Sequence, residues 1–225
     1  MFLPTNTPMD KLLGSGLEAT ITNIYGPAGS GKTNITLCAA ISCLKSGRKV
    51  LYMDTEGNFS TERFQQLGGN DMKNIIFLSP SSWSEQHKEV IAIEKLFRKH
   101  DIGLVVIDSL VSLYRLELTD NNFKSVNKQL ATQFSILSRI CREKNIPVLV
   151  TSQVHSTRDK NGIDNVDITS SSIARYWSKT LVELKRTNKP SQRIAILRRH
   201  RSQPEEKTIT FIIEQNRLKE KSGLF

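Results

Sequence analysis

The chain has 225 residues, 38% of them hydrophobic and 24% charged, which is the balance of a globular protein long enough for one substantial core. Its net charge of +10 points to a polyanionic partner, and no apolar run nears the ~18 residues that a membrane-spanning helix needs. Cys38, Cys43 and Cys141 lack Cys-x-x-Cys spacing and Met1 to Asp10 lacks a basic leader pattern, so a soluble intracellular protein with reduced cysteines is expected.

Leu12 to Leu17 reads as a lead-in turn, and Ala19 to Tyr25 as a short buried strand. Then comes Gly26-Pro27-Ala28-Gly29-Ser30-Gly31-Lys32-Thr33, which meets every fixed position of the phosphate-loop pattern G-x-x-x-x-G-K-[ST]. A helix over Asn34 to Leu44, stopped by Gly47, completes the unit. Strand, loop and helix aim backbone N–H groups at a polyphosphate, and the glycines allow its close approach. Lys32 can reach the outer phosphates as a point charge, and the Thr33 hydroxyl can ligate their magnesium. The nucleotide-binding segment is therefore set as Gly26, Pro27, Ala28, Gly29, Ser30, Gly31, Lys32, Thr33 and Asn34.

Lys49 to Met53 reads as the next strand, ending in Asp54-Thr55-Glu56-Gly57, with a helix from about Ser60. In a parallel α/β sheet, ligands sit at the carboxyl ends of strands, so Asp54 and Glu56 should arrive beside the phosphates. There, a carboxylate can align and deprotonate a hydrolytic water. Asn74 to Leu78 is a third strand. Ser82 and Glu85 form a capping-box pattern for a helix to about Lys99. Leu104 to Ile107 is a fully apolar strand ending in Asp108, the acid expected to hold magnesium, through water. Asp120 should cap a helix whose stripe is Phe123, Val126, Leu130, Phe134, Leu137 and Cys141. Ile146 to Ser152 is another buried strand with Gln153 at its end, where an amide can hydrogen-bond a terminal phosphate. Residues 155–172, polar and glycine-containing, read as a mobile loop.

Three β-like runs follow, Thr180 to Lys185, Arg193 to Arg199 and Thr208 to Glu214, with Arg193, Leu197 and Arg199 expected on one side of the second. Lys185, Arg186, Lys189, Arg193, Arg198, Arg199 and Arg201 crowd into residues 185–201, which contain no acid, so this stretch supplies +7 of the net +10. It is the electrostatic footprint of a phosphate-binding face, with a solvated hairpin as the alternative. One α/β domain is expected: a lead-in over 1–18, a nucleotide-binding core over 19–180, basic antiparallel strands over 181–216 and a tail over 217–225.

The ordered motifs resemble the RecA-like recombinase core, and most closely the short archaeal RadB recombinase paralogues, over nearly the whole chain. The resemblance rests on Ile24-Tyr25-Gly26 entering the phosphate loop, Met53-Asp54-Thr55-Glu56-Gly57 with Phe59 and Glu62-Arg63, Val106-Ile107-Asp108-Ser109, and Thr151-Ser152-Gln153-Val154. It implies a P-loop NTPase fold with a mostly parallel sheet, and ATP and Mg2+ as ligands. It also implies catalytic roles for Lys32, for Glu56 on the hydrolytic water and for Gln153 as γ-phosphate sensor, with Arg63 stacking on adenine. Arg198-Arg199-His200-Arg201 is similar to a Lys-His-Arg element that reaches a neighbouring subunit's phosphates in related ATPases. The first DNA loop lacks the family's Arg-containing glycine-rich tip, the second is near neutral, and the chain has no room for the helical N-terminal domain and Phe-x-x-Ala hook. The resemblance thus implies a cytoplasmic, nucleoid-associated accessory protein with weak ATPase activity and no strand exchange of its own. Its partners would be single-stranded or branched DNA, a main recombinase or another recombination factor, and other copies of itself. The alternatives are a strand-exchanging DNA-dependent ATPase and a ring-forming signalling ATPase without a DNA role.

Overall fold

A computed structural model describes residues 2–158, 164–168 and 171–221, with backbone alone over 155–158, 164–168 and at 171. The chain runs α1 (Met9–Leu13), β1 (Ile21–Tyr25), α2 (Lys32–Lys45), β2 (Lys49–Asp54), α3 (Thr61–Gln66), β3 (Ile75–Leu78), α4 (Trp83–Leu96) and β4 (Ile102–Asp108). It continues through α5 (Ser112–Glu117), α6 (Phe123–Lys144), β5 (Val148–Ser152), β6 (Val154–Arg158), β7 (Asp164–Ile168), α7 (Ser171–Trp177), β8 (Thr180–Arg186), β9 (Gln192–Arg199), β10 (Thr208–Ile213) and β11 (Leu218–Glu220).

Nine strands form one sheet in the order β11-β10-β9-β8-β1-β5-β4-β2-β3. The six from β8 to β3 are parallel, and β9, β10 and β11 extend the sheet antiparallel. β1, β4 and β5 are buried along their full length because helices cover both faces, which is why they read as unbroken apolar runs. On one face Leu130, Phe134 and Leu137 of α6 pack with Val90 and Ile93 of α4 against Val105, Ile107 and Val150. On the other, α1, α2 and Phe64 of α3 close over Ile24, Val106, Leu149 and Leu184. Among the described residues no helix is long and apolar enough to cross a membrane. The three cysteines are free and buried, and burial pushes their thiols up to about 12, 11 and 12 for Cys38, Cys43 and Cys141.

Several expectations give way. The lead-in contains α1, and Leu17 folds back to pair with Leu3. Asp120 is not the cap of α6: Asn122 holds that position, and its side chain joins the Thr119 amide (2.8 Å) to the Glu117 carbonyl (2.8 Å). Phe123, placed on the core stripe by its spacing, is 46% exposed because it opens the helix beyond the packed turns. The segment read as a loop contains β6 and β7, paired antiparallel from Val154↔Ile168 to Arg158↔Asp164, followed by α7. The expected tail contributes β11, which pairs with β10. At α4, Ser82 accepts the Glu85 amide as expected, but Glu85 reaches back to Ser81.

Candidate nucleotide site

The phosphate loop leaves the carboxyl end of β1 and enters α2. A Cβ on Gly26 would lie 2.4 Å from the Leu184 carbonyl oxygen, so only glycine lets the loop pass β8 so closely. Gly31 caps α2 at φ 98°, a left-handed conformation that also suits glycine. The first-turn amides of α2 have no partner within the helix and face the cavity in front of it. Lys32 donates to the carbonyls of Gly26 (2.9 Å) and Pro27 (3.1 Å). Burial lowers its pKa, against the opposing pull of Asp108 and Glu56. The Ser30 hydroxyl is buried and, among the described residues, has no partner, while Gly29 and Gly31 on either side of it line the cavity.

Asp108 ends β4 in register with Asp54 of β2. It accepts from the hydroxyls of Thr151 (2.5 Å) and Tyr52 (3.2 Å), and Thr36 lies at 3.5 Å. Burial raises its pKa, while bonds from Thr151 and Thr33 oppose the shift. Asp108 and the adjacent Thr33 form a hard-oxygen pair suited to a hydrated magnesium ion. Asp54 does different work from the role expected beside the phosphates. It accepts the backbone amides of Glu56 (3.1 Å), Asn58 (3.2 Å) and Phe59 (2.8 Å), and so fixes the turn that presents Glu56. One Glu56 oxygen accepts from Ser109 Oγ (2.7 Å) and Gln153 Nε2 (3.0 Å), the other from Asn58 Nδ2 (2.9 Å).

Arg63 is held at the far end of the cavity. Its guanidinium donates to Asn34 Oδ1 (2.7 Å), Gln66 Oε1 (3.1 Å) and the carbonyls of Glu214 (3.0 Å) and Gln215 (2.5 Å), tying α3 to the turn between β10 and β11. The cavity measures about 550 Å³ and brings together Lys32, Thr33, Asn34, Glu56, Arg63, Asp108 and Gln153, with Ala28, Gly29 and Gly31 in its floor. Asn58, Ser191, Arg193 and Ile213 also line it and are not expected from the sequence, nor is Ser109, which joins the site through its bond to Glu56. Ser109 and Asn58 sit one and two residues beyond recognised acids, a local signal. Arg193 and Ile213 arrive only through the sheet order.

The basic stretch scatters. Arg193 Nε donates to the carbonyl of Gly29 at the phosphate-loop tip (3.0 Å), and burial and Arg186 lower its pKa. Arg198 is clamped between Glu183 of β8 and Glu206, with its Nε 2.7 Å from Glu183. A register slip between Leu181 and Val182 gives β9 an extra residue, so Arg199 departs from the side expected and donates to the Arg175 carbonyl on α7. Nδ1 of His200 accepts the amides of Ser202 and Gln203 (both 3.2 Å). Lys185 lies 3.4 Å from Glu183, while Arg186, Lys189 and Arg201 are exposed.

The model of the family described as Rad51 matches residues 3–221. The chain belongs to the Rad51 family. It is 42% identical over 218 residues to the DNA repair and recombination protein RadB of Methanobrevibacter smithii, spanning 94% of this chain and 92% of that one. The RadB protein of Methanosphaera stadtmanae is 39% identical over 219 residues, covering 95% and 93%. A solved structure titled as the crystal structure of the RadB recombinase superposes with a TM-score of 0.81 at 33% identity, covering 96% of this chain and 98% of that one. The resemblance to RadB paralogues and the RecA-like fold are thus both established. Nucleotide and Mg2+ use is general to this family, and the Lys32, Thr33 and Asp108 cluster fits both.

Proposed function

We propose that the protein is an ATP- and DNA-binding accessory factor of homologous recombination and repair, hydrolysing ATP slowly and acting with a main recombinase as client. The observation that carries this reading is the contact between Gln153 Nε2 and Glu56 Oε1 at 3.0 Å. Gln153 immediately precedes β6, so a residue beside the hydrolytic carboxylate is also the root of the hairpin in the position of the family's second DNA loop. Any interaction that pulls Gln153 toward a terminal phosphate releases Glu56, and either movement is felt at the hairpin.

ATP would lie over the loop with its phosphates toward Lys32 and its base toward Arg63. Thr33 and Asp108 would hold magnesium, which when bound neutralises charge on the phosphates undergoing transfer. Glu56 aligns the attacking water, but that water must compete with Ser109, Gln153 and Asn58 for the carboxylate oxygens. This competition supports slow turnover.

The test is DNA affinity with a non-hydrolysable ATP analogue against ADP, together with steady-state ATP turnover with and without long single-stranded DNA, using Lys32→Ala as the blank. The expected result is turnover far below the ~10 s⁻¹ of a typical enzyme, changed little by DNA, and a DNA affinity that depends on the nucleotide until Gln153→Ala removes the dependence. Many-fold stimulation by DNA would move the assignment to a strand-exchanging ATPase.

A further inference from the structure

Three depressions at the end of the sheet opposite the phosphate loop share walls. One of about 550 Å³ lies among Arg98, Lys99 and Lys144. It shares Arg48 with a smaller one of about 160 Å³, which in turn shares Phe2 and Asn145 with a third of about 340 Å³ that reaches Arg142 and Arg201. These residues belong to the connections entering β2, β4, β5 and β1 and to the end of β9, so together they form a trough across the sheet's amino-terminal edge. From β4 to β9 the trough crosses four strand spacings of ~4.8 Å, about 20 Å.

Arg98, Lys99, Arg142, Lys144 and Arg201 are exposed, and among the described residues none of the five joins an ion pair. Three acids also line the trough, Glu18, Asp101 and Glu143, and Asp101 is engaged by Arg48 at 3.0 Å. Helix C-termini attract basic residues, which accounts for Arg142 and Lys144 and in part for Arg98 and Lys99. It does not account for Arg201, nor for Phe2, which is 52% exposed and lines both the middle depression and the one that reaches Arg142 and Arg201.

We propose that this trough is a second nucleic-acid track that takes a single strand, with phosphates on the five cations and a base on the Phe2 ring. A cationic groove interrupted by an aromatic face binds unpaired strands without reading sequence, whereas a duplex keeps its bases stacked away from such a ring. A strand that kept the ~3.4 Å rise of duplex DNA would lay about six nucleotides along the trough, and a more extended one fewer. Gln153 and the hairpin root lie at the other end of the sheet, so this track holds DNA whatever nucleotide is bound. The proposal rests on the DNA-binding reading above.

The experiment is fluorescence anisotropy of a labelled oligothymidylate of about twenty bases against the full chain, with and without an ATP analogue, over a salt series. Arg98→Glu with Arg142→Glu should flatten the slope of log K against log salt by about 1.4, at ~0.7 per single-strand phosphate. Phe2→Ala should weaken single-strand binding ~5-fold or more while leaving the slope unchanged. ATP turnover, which these substitutions do not touch, reports that each variant is folded. Parental affinity and slope in both variants, or equal losses from Phe2→Ala on duplex and single strand, overturn the track. If the parent protein binds no oligonucleotide under any condition, the DNA-binding reading itself falls.

Discussion

At the carboxyl end of β1, side chains from positions 32, 56, 63, 108, 153 and 193 converge on one cavity. Arg193, Arg198 and Arg199 are near neighbours in sequence, yet they part along β9 and meet a phosphate-loop carbonyl, two carboxylates and a helix carbonyl. The difference is geometric. Parallel strands deliver their ends to a common edge, so residues far apart in sequence meet there. A single strand rises ~3.3 Å per residue, so Arg193 and Arg199 stand about 20 Å apart, and alternation with one slip sends them to different neighbours. A count of charges along the chain therefore overstates the basic face that β9 presents.

The sharpest way to break this comparison is at the convergent end. Glu56→Gln keeps the shape of the contact with Ser109 but removes the carboxylate, so turnover should fall ~100-fold or more while ATP affinity stays within ~3-fold. Single-turnover hydrolysis and equilibrium binding of a fluorescent ATP analogue measure the two separately, and an unchanged rate would remove Glu56 from the chemistry. Arg193→Ala should come next, weakening ATP binding ~10-fold through loss of a cation at the loop tip, with Arg193→Lys retaining part of the affinity. If Arg193→Ala instead lowered only DNA affinity, Arg193 would rejoin the basic stretch.

Arg198 tests the divergent end. Its guanidinium neutralises Glu183, whose side chain is only 10% exposed, so Arg198→Ala leaves a largely buried acid with Lys185 at 3.4 Å as its remaining cation contact among the described residues. Arg198 is itself partly solvated, which limits the expected loss to about 1 kcal/mol. Urea unfolding should show that loss while the salt dependence of DNA binding stays parental. A flattened salt slope at unchanged stability would make Arg198 a phosphate contact.

Much of the candidate nucleotide site is legible in the sequence because its parts are local. Gly26 to Thr33 is a contiguous loop, and Glu56, Asp108 and Gln153 each close an apolar strand, so strand detection alone brings them to one edge. Arg193 reads as part of a basic face because, although antiparallel strands are expected over 181–216, nothing local reveals that β8 lies parallel beside β1, which brings the start of β9 to the phosphate-loop end. The pairing of Arg198 with Glu183 was hidden for the same reason, since it is a cross-strand contact that exists only once the register is set. The β6–β7 hairpin was missed because its runs, Val154 to Arg158 and Asp164 to Ile168, are polar and lack the apolar alternation that marks a half-buried strand.

The smallest expected effect concerns Asp108, where the needs of the site and of the fold oppose each other. Burial raises the pKa of its carboxyl, so the folded state favours the protonated form and the ionised form costs stability. For a raised carboxylate, the stability contribution is fully present below the unfolded pKa of ~3.9 and is lost as pH rises through the folded value. Asp108→Asn should therefore raise the melting temperature of the nucleotide-free protein by ~2 °C at neutral pH, and the gain should fade toward pH ~4. The same substitution should weaken magnesium-dependent ATP binding, because the amide no longer offers a charge to the hydrated ion. Melting curves across pH separate the two demands. A gain that persisted unchanged at low pH would show that packing around Tyr52 and Thr151, rather than the buried charge, sets the stability of this corner of the sheet.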